Sequence, residues 1–274
     1  MSKTKVLIVT QEMNPYTAAS EISEIARRLP QHVQEQGMEI RILMPKFGNI
    51  NERRHRLHEV VRLSGMNIIV DDDDFPLIIK VASVQGARMQ VYFLDNEDFF
   101  KRKATFEDGD GNAFKDNPDR MIFFCKGVVE TVKKFGWAPD IVHCHGWMTS
   151  LLPLYLKTAY KSEPLFQDSK VITSVYHNPT KNVFSDNFIT KASINDLEAE
   201  DLASFKTEAG ISLINGAATF SDALIEGSDG SEYEIIDAAK AAGKPVLDYQ
   251  SPESYLSAYV NFYKSLLEQE ETVS

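Results

Sequence analysis

One stretch decides the fold of this chain: PDIVHCHGWMT, residues 139–149. An apolar pair leads into three polar or ionisable side chains, His143, Cys144 and His145, and Gly146 and Trp147 then open a new apolar segment. This pattern predicts a buried strand whose carboxyl end opens into a cleft, followed by a helix. Because ligands of open α/β sheets bind beyond the carboxyl ends of the strands, the end of this strand is the candidate site.

Composition bounds the class of protein. The chain has 274 residues, of which 43% are hydrophobic and 25% charged, as in an ordinary globular protein. Its net charge of −11 disfavours nucleic acid and anionic membranes as partners. No apolar run reaches the length of about 18 residues that a membrane span needs, and no signal peptide is evident. Together with only two cysteines, these features favour a cytoplasmic protein.

Two apolar runs near the N-terminus flank a helical pattern. They occupy residues 5–10 and 40–45, and apolar residues between them recur at helical spacing. Continuous apolar runs of this length are typical of parallel strands buried on both faces. Such a strand–helix–strand unit predicts a right-handed crossover. With further strands expected at 139–145 and 170–176, the predicted fold class is α/β, a single doubly wound Rossmann-like domain.

Residues 57–94 depart from this pattern. They contain short β-rich runs that are separated by Gly65, by the four aspartates of residues 71–74 and by Gly86. Glycines and charged clusters between short apolar runs are typical of turns between antiparallel strands. The segment therefore predicts a β-hairpin insertion at the edge of the sheet.

The C-terminal part of the chain is expected to complete the same domain. The pattern predicts a helix near residues 203–215 and a short strand at 217–220. We expect the domain to cover residues 1–250 and a final helix at 251–274 to pack back on it. One stripe of this last helix has helical spacing: Leu256, Tyr259, Val260, Tyr263 and Leu267. Three more apolar side chains widen the stripe: Tyr255, Phe262 and Leu266. We expect the narrower stripe to dock on the domain and the β insertion, a second copy or a partner to cover the rest.

The histidines of the deciding stretch are candidates for binding. Strand alternation places His143 and His145 on one face and Cys144 on the other. Two histidines are half of a zinc site and no other ligand cluster is evident, so neither a metal nor another cofactor is expected. Cys144 faces away from both imidazoles and lacks the base that a nucleophile needs. His177 ends the next strand, so the three histidines either converge on a ligand or serve as packed polar groups.

Several short segments stand in a characteristic order along residues 4–225. They are EMNP (12–15), MPKF (44–47), DNPDRM (116–121), PDIVHCHGWMT (139–149), YHN (176–178) and the segment 211–224. These segments and their order resemble the N-terminal half of bacterial glycogen synthases and plant starch synthases, glycosyltransferase family five. The resemblance implies the N-terminal half of a GT-B fold and transfer of glucose from ADP-glucose to an α-1,4-glucan.

The resemblance and the cleft together give a set of substrate-binding residues. They are Asp116, Arg120, His143, His145, Trp147, Tyr176, His177 and Asn178. Trp147 and Tyr176 are the candidates for stacking on a sugar ring. The implied partners are an α-glucan or oligosaccharide and either a partner synthase chain or a second copy of this chain.

The chain also departs from the family pattern. The family's K-T-G-G-L loop, which contacts the nucleotide-sugar, is replaced by YTAASE at residues 16–21, which has neither lysine nor glycine. In H-D-W-H, the aspartate is replaced by Gly146 and the second histidine by Met148. The residues after 225 are too few for the family's second domain. Loss of oriented polar groups at a reacting centre costs orders of magnitude in rate.

Three hypotheses fit these features. In the first, the chain is a single-domain relative of glycogen synthase that is inactive alone and binds α-glucan or regulates a full synthase. In the second, it is a transferase subunit whose site another chain completes. In the third, it keeps the fold and has an unrelated binding role, because fold alone does not determine function.

Overall fold

The computed structural model describes residues 3–84, 86–177, 184–230 and 233–271. The strands are β1 (Lys5–Thr10), β2 (Glu39–Pro45), β3 (His58–Glu59), β4 (Met66–Val70), β5 (Asp73–Ser83), β6 (Gln90–Asp95), β7 (Ile141–His145), β8 (Lys170–Val175), β9 (Lys206–Thr207), β10 (Gly210–Ile211), β11 (Ala223–Glu226) and β12 (Val246–Leu247). The helices are α1 (Glu21–Glu35), α2 (Glu52–His55), α3 (Glu97–Phe100), α4 (Asn117–Phe135), α5 (Leu151–Lys157), α6 (Asp186–Ala192), α7 (Leu213–Phe220), α8 (Tyr233–Ala241) and α9 (Tyr255–Glu271). Short 3-10 turns cover Trp147–Thr149 and Ala199–Phe205.

The central sheet has the order β12-β11-β8-β7-β1-β2-β6-β5-β3. Its strands from β12 to β6 are parallel. The chain moves from β1 outward to β2 and β6, then crosses back to β7 and continues to β8, β11 and β12. This order confirms the predicted doubly wound α/β fold. The direction of winding reverses between β1 and β7, so the topological switch point lies beside the strand that carries the two histidines.

The antiparallel part of the sheet lies at one edge. β5 runs antiparallel to β6, and both β3 and β4 pair antiparallel with β5. β6 itself runs parallel to β2 and belongs to the main sheet, although the sequence pattern placed it within the hairpin segment. Val91, Phe93 and Leu94 are wholly buried and Tyr92 is partly buried, and so short an apolar run does not distinguish a strand of the main sheet from a hairpin strand.

Helices cover both faces of the sheet. β7 is buried along its whole length, as expected for a central parallel strand. On one face its residue His143 contacts Tyr259 and Tyr263 of α9, and α9 packs beside α1. On the other face lie α4 and α5, and the Cys125 thiol of α4 donates to the carbonyl oxygen of Met148 at 3.3 Å.

Helix α9 docks through a different stripe from the predicted one. Its buried residues are Tyr255, Tyr259, Val260, Tyr263 and Leu266. Leu256, Phe262 and Leu267 remain partly exposed at the margin of the core. The buried stripe is thus rotated toward Tyr255 and Leu266, because the tyrosine side of the helix contacts His143 of β7 and packs beside α1. None of the described helices is long and apolar enough to cross a membrane.

The segment before β11 differs from the sequence expectation. Residues 217–220, predicted as a strand, form the end of α7. Ser212 caps this helix by accepting a hydrogen bond from the Asn215 backbone N–H at 3.3 Å. The strand follows as β11, in register with β8. A short apolar run such as this one does not distinguish helix from strand by its periodicity.

Candidate functional site

The two histidines of β7 lie side by side beneath the surface. Their ring centroids are 3.9 Å apart, and neither side chain has exposed area. His143 bonds the Tyr263 hydroxyl through Nδ1 at 2.6 Å and the Ser174 hydroxyl through Nε2 at 2.7 Å. Burial, and next the neighbouring His145, hold the pKa of His143 well below its ordinary value. His143 is therefore a neutral imidazole that joins β7, β8 and α9.

His145 makes one hydrogen bond within the described part of the chain. Its Nδ1 lies 2.7 Å from the Tyr176 hydroxyl, whereas its Nε2 is buried and has no partner among the described residues. Burial lowers the pKa of His145 to about 3. This side chain is therefore also neutral, and Tyr176 covers it.

The cysteines occupy the opposite face. Cys144 is wholly buried, and burial raises the pKa of its thiol to about 12. Burial also raises the pKa of Cys125 well above its ordinary value, with a smaller contribution from Cys144. Neither sulfur has thiolate character near neutral pH, so neither is a reactive nucleophile.

A cavity opens at the carboxyl ends of β7 and β8. Its volume is about 1150 Å³. It brings together three of the predicted site residues, Trp147, Tyr176 and His177. Polar side chains from the segments around the first 3-10 turn, the β9–β10 hairpin, α7 and α8 also line it, and they include Ser150, Glu208, Ser212, Asn215 and Glu234. This strand-end cavity therefore combines aromatic rings with hydroxyl, amide and carboxylate groups.

Aromatic neighbours fix Trp147 at the rim. Its ring centroid lies 4.9 Å from that of Phe106 and 5.8 Å from that of Phe184. Tyr176 is held from below by His145 and from the side by Gly227, where a β-carbon would meet the tyrosine ring at 2.5 Å. His177 is exposed, and its backbone N–H donates to the Ser228 hydroxyl at 3.2 Å. Asn178 lies outside the described residues.

Asp116 and Arg120 lie apart from this lining. The Arg120 side chain has no exposed area and donates to the carbonyl oxygens of Phe99 and Thr105 and to Asn117 Oδ1. Burial, and next Arg102, lower the pKa of Arg120 to about 9. Asp116 accepts from both terminal nitrogens of Arg102, at 2.8 and 2.6 Å.

These bonds anchor the segment between α3 and α4. The segment includes Phe106, whose ring contacts Trp147 and whose carbonyl oxygen accepts from Asn117 Nδ2 at 2.9 Å. Asp116 and Arg120 are therefore connected to the cavity through Phe106. The direct substrate-binding role of the whole predicted set stays a prediction.

Gln11 is a site residue that the sequence pattern did not indicate. It follows β1 at the switch point, and its Oε1 accepts a hydrogen bond from the Met148 backbone N–H at 3.2 Å. Gly146 has a φ of +86°, a conformation that side chains rarely adopt, and a β-carbon there would overlap the Gln11 amide. The Gln11 side chain thus fills the space beside Gly146. In the sequence, the only indication of this contact is that residue 146 is a glycine, which has no side chain to fill that space.

Glu12 is a second residue that the sequence analysis did not assign to the site. Its carboxylate accepts a hydrogen bond from the Ser20 hydroxyl at 2.6 Å. Burial raises its pKa, and the bonds from Ser20 and Gln11 oppose that shift. Nearby, Glu21 accepts a hydrogen bond from Ser228, which ties the start of α1 to the loop after β11. These contacts hold the two sides of the switch point together.

No group of three or more metal-ligating side chains occurs among the residues that the structure describes. The described site therefore offers hydrogen-bonding and aromatic surfaces to a ligand.

Comparison with known proteins places the chain in a family. Residues 5–247 match the family model for the starch synthase catalytic domain. The chain is 38% identical over 223 residues to a glycogen synthase of Chlorobium limicola, covering 80% of this chain and 45% of that protein. It is 36% identical over 235 residues to a glycogen synthase of Chlorobaculum tepidum, covering 85% of this chain and 47% of the relative. The chain thus spans about half the length of these relatives.

A solved structure supports the same fold. The catalytic domain of starch synthase IV from Arabidopsis thaliana, bound to ADP and acarbose, aligns with a TM-score of 0.73. The alignment covers 91% of this chain and 52% of that one, at 17% sequence identity. At this identity the likeness shows the fold alone, which is of the GT-B type.

Proposed function

Because the chain belongs to the starch synthase catalytic-domain family, we propose that it binds an α-glucan in the strand-end cavity and does not transfer glucose by itself. The observation that carries the binding proposal is the cavity of about 1150 Å³ at the carboxyl edge of the sheet, with Trp147, Tyr176 and His177 in its lining. Open α/β sheets bind their ligands at this edge. A glucan chain offers both apolar ring faces and hydroxyl groups, and the lining supplies partners for each.

The side chains of the lining match the chemistry of a neutral sugar. Trp147 is partly exposed and gives an aromatic face, while Ser212 and Asn215 offer neutral hydrogen-bonding groups. Glu208 and Glu234 can accept hydrogen bonds from hydroxyls. Binding sites for small organic ligands combine apolar and aromatic side chains with a few placed polar groups, and this lining has both. The chain's charge of −11 does not oppose a neutral ligand.

The proposed lack of transfer rests on two altered positions. Met148, where the family motif has its second histidine, is wholly buried, and its backbone is engaged by Gln11 and Cys125. Tyr16, where the family loop has its lysine, is buried against Phe93 and His55. Neither position presents a charged group to a nucleotide-sugar. Without oriented charges at the reacting centre, the transition state is poorly stabilised.

Isothermal titration with maltoheptaose tests the binding proposal. We expect saturable binding to the wild-type protein and a loss of at least about fivefold in affinity for Trp147→Ala, since a stacked aromatic contributes about 1 kcal/mol or more. Tyr92→Ala removes a partly exposed aromatic of β6 that does not line the cavity and should bind like the wild type. Absence of binding by the wild type, or equal binding by all three proteins, would contradict the proposal.

A second candidate function is a transferase site that another polypeptide segment completes. The exposed His177 at the cavity favours it, because this residue follows β8 and resembles the histidine of the family's T-I-H-N. Incorporation of radiolabelled glucose from ADP-glucose into glycogen separates the candidates. We expect no incorporation by the 274 residues alone. Turnover near the typical enzyme value of about 10 per second would refute the inactive interpretation.

A further inference from the structure

A second cavity lies against the loop that follows β1. Its volume is about 510 Å³, and Tyr16, Arg54, His55, Arg56 and His58 contribute to its lining. No described residue lines both this cavity and the strand-end cavity. The basic cavity is therefore a separate feature, and the proposed function makes no use of it.

Local structure brings the basic side chains together. Helix α2 begins after Asn51, whose side chain accepts from the Arg54 backbone N–H at 2.9 Å. It ends at Arg56, which has the left-handed φ of 55° that glycine usually supplies at such a position. Because the chain turns sharply here, the alternate residues Arg54, Arg56 and His58 all line the same cavity.

The wall of the basic cavity is fixed by the core. The Tyr16 ring packs edge-on against Phe93 of β6, with centroids 4.9 Å apart, and is 6% exposed. His55 packs against the other side of Tyr16 at 5.0 Å. Burial, and next the charge of Arg54, lower the pKa of His55. The cavity thus has an aromatic wall and a positive potential.

The two arginines lack an internal counter-charge. Glu52, the acidic residue of α2, is engaged by Lys46 at 2.6 Å and by Lys80 at 2.8 Å. Within the described ranges, no carboxylate lies at ion-pair distance from Arg54 or Arg56, and none lines the cavity. In a chain of net charge −11, a cavity lined by two arginines and by no carboxylate of the described residues is an exception that calls for an anion.

We propose that the basic cavity binds a phosphorylated small molecule through its phosphoryl group. The guanidinium fork matches the geometry of phosphate oxygens, two such groups can neutralise a dianion, and the adjacent imidazoles can add hydrogen bonds. The volume lies within the range of about 300–1,000 Å³ that is usual for small-molecule sites, so there is room for the organic part of the ligand beside the Tyr16 wall.

Calorimetric titration with inorganic phosphate and with glucose 1-phosphate tests this assignment. We expect saturable binding of the sugar phosphate to the wild-type protein, with weaker binding of the free anion. Arg54→Gln/Arg56→Gln should lose at least about tenfold in affinity, because two charge-assisted contacts are removed. Arg53→Gln/Arg62→Gln makes the same charge change at two exposed arginines outside the cavity and should bind like the wild type.

Three outcomes would overturn the proposal: no saturable binding by the wild type, an equal loss in both double variants, or equal affinity for phosphate and sugar phosphate. The altered arginines are exposed, so thermal melts of both variants should match the wild type. Binding of maltoheptaose should be the same in Arg54→Gln/Arg56→Gln as in the wild type. The two measurements therefore test the phosphate-binding proposal and the glucan-binding proposal separately.

Discussion

The amide of Gln11 occupies the space that a side chain at Gly146 would need, and it bonds the Met148 backbone N–H at 3.2 Å. The two residues lie on opposite sides of the switch point, one after β1 and the other after β7. The glycine that stands in place of the family's aspartate therefore leaves room for the Gln11 amide.

We predict that Gly146→Asp destabilises the protein by at least about 2 kcal/mol, because it combines backbone strain with overpacking. The free energy of unfolding in urea measures this change. Gly37→Asp is the matched control, since Gly37 has a φ of +87° and nothing within 4 Å of a β-carbon. It isolates the backbone strain and should cost less. A Gly146→Asp variant as stable as this control would show that Gln11 does not restrict the site.

The same pair supports a coupling experiment. Gln11→Gly combined with Gly146→Asp removes the overlap and should recover about 1 kcal/mol relative to the sum of the single changes. Additive costs would contradict the overlap. Neither variant is expected to gain glucose transfer, because Met148 remains buried.

Tyr263 should be a strong anchor of α9. Its hydroxyl bonds His143 Nδ1 at 2.6 Å in a wholly buried setting. Tyr263→Phe leaves that nitrogen without a partner and should lower the free energy of unfolding by about 1–3 kcal/mol. Tyr255→Phe, on the same buried stripe, removes a hydroxyl for which no described hydrogen bond exists and should be nearly neutral. Equal effects of the two substitutions would show that the hydrogen bond between Tyr263 and His143 does not stabilise the fold.

Stability should fall as pH is lowered below about 6.5, the ordinary pKa of histidine. His143 and His145 are held neutral in the folded protein, with pKa values below those of the unfolded chain. Between the folded and unfolded values only the unfolded chain binds the protons, so acid favours unfolding. Each histidine contributes up to about 1.4 kcal/mol per pH unit in this window.

Urea denaturation at pH 7 and pH 5 measures this dependence. His145→Gln should reduce the slope of stability against pH, even if it is less stable overall. A slope unchanged by His145→Gln would show that His145 binds its proton equally well in the folded and the unfolded protein, which contradicts the account.

The sequence predicted the central architecture because its strands are continuous apolar runs. Such runs suit only positions covered on both faces, as in β1 and β7. The alternation of His143, Cys144 and His145 also held, since strand geometry fixes which side chains share a face. The convergence of Trp147, Tyr176 and His177 followed from strand order and from the carboxyl-edge rule.

Other features depend on contacts that local patterns do not encode. Residues 217–220 are helical because Ser212 caps the preceding turn. The buried stripe of α9 is set by its neighbours, since both sides of that helix are apolar. The role of Gln11 depends on the backbone of Gly146, which lies far from it in sequence. How deeply a side chain near a strand end is buried depends on the elements that pack over it. The complete burial of His143 and His145 could therefore not be predicted from their spacing in the sequence.

Tryptophan fluorescence during titration with maltoheptaose tests the central claim most directly. The chain has two tryptophans, and Trp137 is buried away from the strand-end cavity, where it donates to Glu39 at 3.0 Å. In Trp137→Phe the emission therefore comes from Trp147, and in Trp147→Phe from Trp137. We predict a saturable change of emission in Trp137→Phe, at the concentration where calorimetry detects binding, and none in Trp147→Phe. Calorimetric binding of maltoheptaose with unchanged Trp147 emission would place the glucan elsewhere and contradict the account.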